Sequence, residues 1–150
     1  MAKTTTKTRA PGTRARLPRV VAGAVQAARD KKAFDIVVLD LRKAGGFTDY
    51  FVICSGASAR QINAIADAVT DTLRTGFGER PALVEGVQKS EWILLDYFNF
   101  IVHVFSRECR AFYGLERLWG NAVRLEFEHG QLGDQGSGIG DRRSNRTSSN

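Results

Sequence analysis

The sequence predicts a single α/β domain, a mixed β-sheet of about five strands flanked by helices. Three observations carry that expectation. The runs at 34–41 (FDIVVLDL) and 100–105 (FIVHVF) are apolar at nearly every position, whereas a sheet with one wet face alternates apolar and polar residues. Both faces of the sheet therefore need cover, and helices supply it. Between those runs lies a segment with a helix cap at its start and apolar groups at helical spacing. A chain of 150 residues is long enough for one domain with a real core and too short to expect two.

The elements follow in order. Pro18 suits the first position of a helix, after which Val21, Ala24, Val25 and Ala28 fall on one face. The β-rich runs 34–41 and Tyr50–Ser55 come next, with Gly45-Gly46 supplying turn chemistry between them. Ser58-Ala-Arg-Gln61 matches a capping box, in which the Ser58 hydroxyl accepts from the residue 61 amide and the Gln61 side chain reaches back to the Ser58 amide. Ile62, Ile65, Val69 and Leu73 continue that helix, and Gly76 offers its stop. Leu83-Val84 reads as a short strand, 92–95 with Phe100–Phe105 as a hairpin, and Arg107 as the start of another helix. Val123–Phe127 is the last strand candidate.

Charge divides the chain into a folded middle and two tails. Residues 1–19 carry six basic groups and no acid, residues 129–150 sum to +1, and the segment between has 13 basic against 14 acidic residues. The expected organisation is a basic disordered tail at 1–17, a domain at 18–128 and a Gly/Ser/Arg-rich disordered tail at 129–150, since neither tail holds enough apolar surface to order itself. An Arg-rich, acid-free start fits a transit peptide, but Pro11, Gly12 and Pro18 spoil the amphipathic helix such a signal uses. GSGIG at 136–140 resembles a phosphate loop without the flanking strand and helix, and reads as linker. The tails are expected to make at most nonspecific, salt-sensitive contact with RNA phosphates. No apolar run approaches the roughly 20 residues that span a bilayer, and no signal-peptide core stands near the start. No membrane partner and a cytoplasmic location are expected. Cys54 and Cys109 lack metal-site spacing and read as small buried hydrophobes of a reducing compartment.

The stretch from Glu91 to Trp119 concentrates Trp92, Tyr97, Phe112, Tyr113 and Trp119 beside Glu91, Asp96, Glu108 and Glu116. Tryptophan is usually buried but is also a common binding anchor, so Trp92 and Trp119 read either as core or as docking groups. Asp49, Glu85, Glu91, Asp96 and Glu116 read as solvated charges, turn formers or an acidic patch. His103, between Val102 and Val104, points to the face of Ile101 and Phe105 and reads as a hydrogen-bonded core residue without a catalytic partner. Ser55-Gly56-Ala57-Ser58 joins a strand to a helix, a geometry that cradles anions, though a tight turn with an N-cap explains it fully.

Several phrases resemble the ribosomal silencing factor, or Iojap-like, family: DIVVLDLR at 35–42, FTDYFVICSGASARQ at 47–61, VEG at 84–86, EWILLDY at 91–97, IVHVF at 101–105 and FYGLERLW at 112–119. Their order and spacing over about residues 20–127 carry the resemblance. It implies a nucleotidyltransferase-like shape without catalysis, no cofactor and no metal. It also implies translational repression by docking on large-subunit ribosomal protein number fourteen, which sterically blocks joining with the small subunit when nutrients are scarce. Homodimers are expected of some relatives. The resemblance moves Tyr113, Leu115 and Trp119 toward docking and leaves Trp92 balanced between core and anchor. An acidic rim of Glu85, Glu91 and Asp96, joined by Glu116, would complement a basic, RNA-associated partner. Two departures stand out: Phe98 occupies a hairpin turn where many members have glycine, and Gly114 interrupts FYGLERLW, where it should weaken or kink the helix by about 1 kcal/mol.

Nucleotidyl transfer is the competing reading. It needs carboxylates converging on divalent metal, commonly as Asp-x-Asp after a Gly-Ser turn. Gly56 and Ser58 mimic the turn, but no Asp-x-Asp follows, and Asp35, Asp40 and Asp96 are scattered. Sequence-tolerant RNA binding is a third reading, which the near-neutral middle disfavours.

Overall fold

A computed structural model describes residues 17–127. The tails, with the transit-peptide and GSGIG readings, lie outside the described residues apart from Leu17, which packs against the core.

The sheet has six strands rather than about five, because the short Leu83 run and the last apolar run both pair. The strands are β1 (Phe34–Asp40), β2 (Tyr50–Ser55), β3 (Leu83–Glu85), β4 (Trp92–Asp96), β5 (Phe100–Phe105) and β6 (Val123–Phe127), in the order β3-β4-β5-β2-β1-β6. β2 and β5 run parallel at the centre, and all other neighbours are antiparallel. The central strands are buried at every position, which is why their sequences do not alternate.

Two long helices close one face. α1 (Arg19–Asp30) buries Val21, Ala24, Val25 and Ala28, and α2 (Ala59–Phe77) buries Ile62, Ile65, Val69 and Leu73. These residues meet Ile36, Val38, Val52, Cys54, Ile93, Leu95, Val102 and Val104 in one continuous core. Small residues let the helices approach: a Cβ on Gly23 would come within 2.7 Å of the Phe77 ring. Pro18 is the N-cap of α1 rather than its first helical residue, and the Pro18 carbonyl accepts the first helical bond, from Ala22 at 3.0 Å.

The capping box of α2 forms by half. Ser58 Oγ accepts from the Gln61 amide at 3.1 Å, but Gln61 Oε1 accepts from the amide of Ala57, one residue further back than expected. The Gln61 amide nitrogen is drawn that way by the carbonyls of Lys31 and Lys32, to which it donates at 3.1 and 3.0 Å. Gly76 does not stop the helix. The stop is Gly78, whose φ of 68° is the left-handed geometry that satisfies the final carbonyls.

On the second face sit two short helices, α3 (Arg107–Tyr113) and α4 (Leu115–Leu118). Gly114 does more than weaken one helix. At φ 57° it ends α3 and begins α4, so the chain turns there.

Candidate functional site

Strand alternation and register define the second face row by row. One row runs Glu85, Leu94, His103, Ile53, Val37 and Glu126, and a second runs Leu83, Asp96, Ile101, Phe51, Leu39 and Arg124. Trp92 stands beside Phe105 and Ser55 in a third. α3 and α4 cover the middle of these rows: Cys109, Leu115 and Trp119 pack on a core of Val37, Leu39, Phe51, Ile53, Ile101 and Phe105. Among the described residues β3 is exposed, and α3 reaches β4 at Trp92 through Tyr113.

His103 anchors the covered part. Its Nδ1 accepts from the Trp92 indole N–H at 3.0 Å, which places the ring proton on Nε2. The ring is 3 % exposed, and burial pushes its pKa down to about 3. A histidine that stays neutral at physiological pH, locked to an indole, is a structural member of the face, as its strand position predicts. Phe51 meets it edge-on at 4.5 Å between ring centres, and the Trp119 ring meets Phe51 edge-on at 6.2 Å.

Trp92 is thus core on one side and surface on the other. It stacks on Phe105 at 4.9 Å and lies against Tyr113 at 4.6 Å, while Tyr113 itself is 48 % exposed. Leu115 and Trp119 are half-buried supports on the same core. Glu85 and Glu91 are exposed. Asp96 is only half available, because its Oδ1 accepts the Phe98 amide at 2.8 Å.

Glu116 lies apart from that acidic rim and is engaged within the protein. Arg110 donates to both of its oxygens at 3.0 and 2.9 Å, and Arg124 approaches at 3.3 Å. Burial alone would raise this carboxyl, but the Arg110 hydrogen bonds and the two guanidinium charges hold it below the usual glutamate range. Arg110 also donates to the buried Ser55 hydroxyl at 2.9 Å, tying the two short helices to the end of β2. The carboxylate therefore orders α3 and α4 before it can serve a partner.

Sequence reasoning passed over Phe47 and Leu118 as exposed apolar groups and gave no exposure to Leu83, while Phe98 and Phe112, both singled out in the sequence, are exposed and Leu94 is half-buried. Phe47 leans edge-on to Phe51 at 6.2 Å. Its loop is tied to the β4–β5 turn, where Thr48 Oγ1 donates to the Phe98 carbonyl at 2.7 Å and Asp49 donates its amide to Asn99 at 3.0 Å. Phe98 takes φ 74°, a left-handed conformation that glycine adopts most readily. Cys54 is fully buried with its thiol pushed up to about 12 by desolvation, and both described cysteines are free. Among the described residues no group of three or more His, Cys, Asp and Glu side chains could hold a metal ion, and no helix is long and apolar enough to cross a membrane.

Fold and face together define an α/β domain with one sheet surface closed by long helices and the other half open, aromatic within and acidic at its edge. The chain belongs to the ribosomal silencing factor family: the family model described as "Ribosomal silencing factor during starvation" matches residues 14–149. A ribosomal silencing factor of Halalkalibacterium halodurans is 38 % identical over 105 residues, covering 70 % of this chain and 89 % of that protein. The mouse protein named "Mitochondrial assembly of ribosomal large subunit protein 1" is 30 % identical over 93 residues, 61 % of this chain and 41 % of its own length. Among solved structures, a Chromobacterium violaceum protein superposes with a TM-score of 0.65 at 32 % identity, covering 68 % of this chain and 84 % of that one.

Proposed function

We propose that the protein binds the large ribosomal subunit in the cytoplasm, on ribosomal protein number fourteen, and keeps the small subunit from joining by occupying the face where the two meet. Translation is thereby lowered when nutrients are scarce. Family membership supports this role, and the mouse relative is named for assembly of the ribosomal large subunit.

The observation that carries the docking site is the open half of the second face. Leu83, Leu94 and Tyr113 present apolar surface there, backed by Trp92 and, across the covered middle, by Leu115 and Trp119. Glu85, Glu91 and Asp96 border it. Apolar anchors supply most of the affinity of such a contact, and edge charges set specificity and association rate against a basic partner. Glu116 acts indirectly, by holding Arg110 and so the helix that carries Tyr113.

Sedimentation of purified subunits with and without the protein tests this reading. Saturating protein is expected to leave the subunits separate, and unimpaired joining would overturn it. Replacing Leu83 by Glu together with Tyr113 by Ala should weaken binding to the large subunit about thirtyfold, or about 2 kcal/mol, with the fold intact.

A further inference from the structure

A second feature lies at the far end of the sheet, away from β3. The parallel strands β2 and β5 end side by side, with Ser55 opposite Phe105, and the chain leaves them through Gly56 into α2 and through Ser106 into α3. Crevices beyond the carboxyl ends of parallel strands are where open α/β sheets take small ligands. This one has a volume of about 560 Å³, within the range of small-molecule sites.

Its lining is unusual in charge. Arg107, Arg110, Arg117 and Arg124 face Asp35 and Glu116 across it, an excess of two positive charges in a concave site of a domain that is otherwise near neutral. Glu116 pairs with Arg110 and more loosely with Arg124, which Glu126 also holds at 2.8 Å. Arg107 and Arg117 form no salt bridge among the described residues. Arg107 rests over the Phe34 ring at 4.4 Å, a contact that fixes the guanidinium without using its donors on a carboxylate. Arg117 folds over Gly114, where any Cβ would meet its guanidinium. Ser55, 1 % exposed, and the Arg110 that it binds form a rigid floor. Arg107, held over a ring, and Arg117, without an acidic partner among the described residues, thus line one crevice above a polar floor, and guanidinium forks are the groups that bind phosphate oxygens in pairs.

We propose that this crevice binds a small molecule carrying two or more phosphate groups, with Arg107 and Arg117 as its ligands. A linear polyphosphate fits better than a nucleic-acid strand. A crevice of about 560 Å³ takes a short anion whole, whereas a continuous strand would run beyond its four arginines.

Isothermal titration of the full chain with inorganic tripolyphosphate and, separately, ATP tests the proposal. Both are expected to bind, and Arg107→Ala with Arg117→Ala should weaken each at least tenfold while circular dichroism is unchanged. Lys43→Ala with Arg80→Ala removes two exposed cations elsewhere and should leave affinity within twofold. Equal loss in both double variants, or no loss in the first, would overturn the site in favour of diffuse attraction to the basic tails. A short single-stranded RNA that binds more tightly than either probe and depends on the same two arginines would overturn the small-molecule assignment. Subunit joining is scored separately, so failure here leaves the docking face unaffected.

Discussion

The two faces of one sheet are built from the same strands and do different work. On the helix side, Ile36, Val38, Val52, Val102 and Val104 meet α1 and α2 over every strand but the short β3, and the buried residues form one cluster. On the other side, Val37, Leu39, Phe51, Ile53, Ile101 and Phe105 form a smaller cluster under two helices totalling eleven residues, seven in α3 and four in α4. Successive residues of β2 and β5 thus enter a closed core and a half-open one by turns. Where burial is complete it fixes the fold. Where it stops short, at Trp92, Leu94 and Tyr113, surface remains for a partner.

The largest expected effect separates the faces by stability. Leu73→Ala in α2 empties the closed core and should cost about 3 kcal/mol in urea denaturation, whereas Leu83→Ala on the open edge should cost under about 0.5 kcal/mol. Similar losses for both would mean that the second face is as closed as the first.

Acid should act on the half-open face next. His103 is neutral when folded, with its pKa pushed down to about 3 from an ordinary 6.5, so the unfolded chain binds the proton first. Stability is therefore full above about pH 6.5 and falls as pH drops toward 3. Between pH 6.5 and pH 5 the loss should be about 2 kcal/mol. Asp40 and Glu116, both held below their ordinary 3.8 and 4.5, lose their contribution only as pH falls beneath those values, which leaves the upper window to the histidine. Denaturation curves at the two pH values should differ for the wild type and coincide for His103→Leu in that window.

The smallest effect is a gain. Phe98 holds a left-handed turn against its own preference, pinned by Asp96 below and Thr48 beside it. Phe98→Gly should raise stability by up to about 1 kcal/mol in thermal melts.

Much of this was legible in the chain. Helical spacing located α1 and α2 with their buried residues, unbroken apolar runs identified the central strands, and Ser58 marked its cap, because each of these signals is local. The face was less so. A half-covered strand such as β4 reads like a covered one, so Leu94 and its neighbour Leu83 gave no sign of exposure. The Trp92–His103 bond joins strands by register, and the Arg110–Ser55 bond spans 55 residues. Glu116 looked like a surface acid because the turn at Gly114 brings it Arg110 and the edge strand β6 brings it Arg124. The phosphate-like turn at Ser55–Ser58 proved to be a helix cap, while the basic crevice beside it drew its arginines from α3, α4 and β6.

The central parallel pair also sets a timetable for synthesis. Tyr50 is matched with Phe100, fifty positions later, so α2, β3 and β4 must all be made before β2 gains its inner neighbour. At about 5–20 residues per second the apolar edge of β2 waits several seconds for its match. A nascent chain halted at residue 99 should be cut by protease within 50–55, and one extended past residue 127 and clear of the exit tunnel should not. A protein proposed to restrain ribosomes thus depends on one of them to deliver the second half of its sheet before the first half finds another strand.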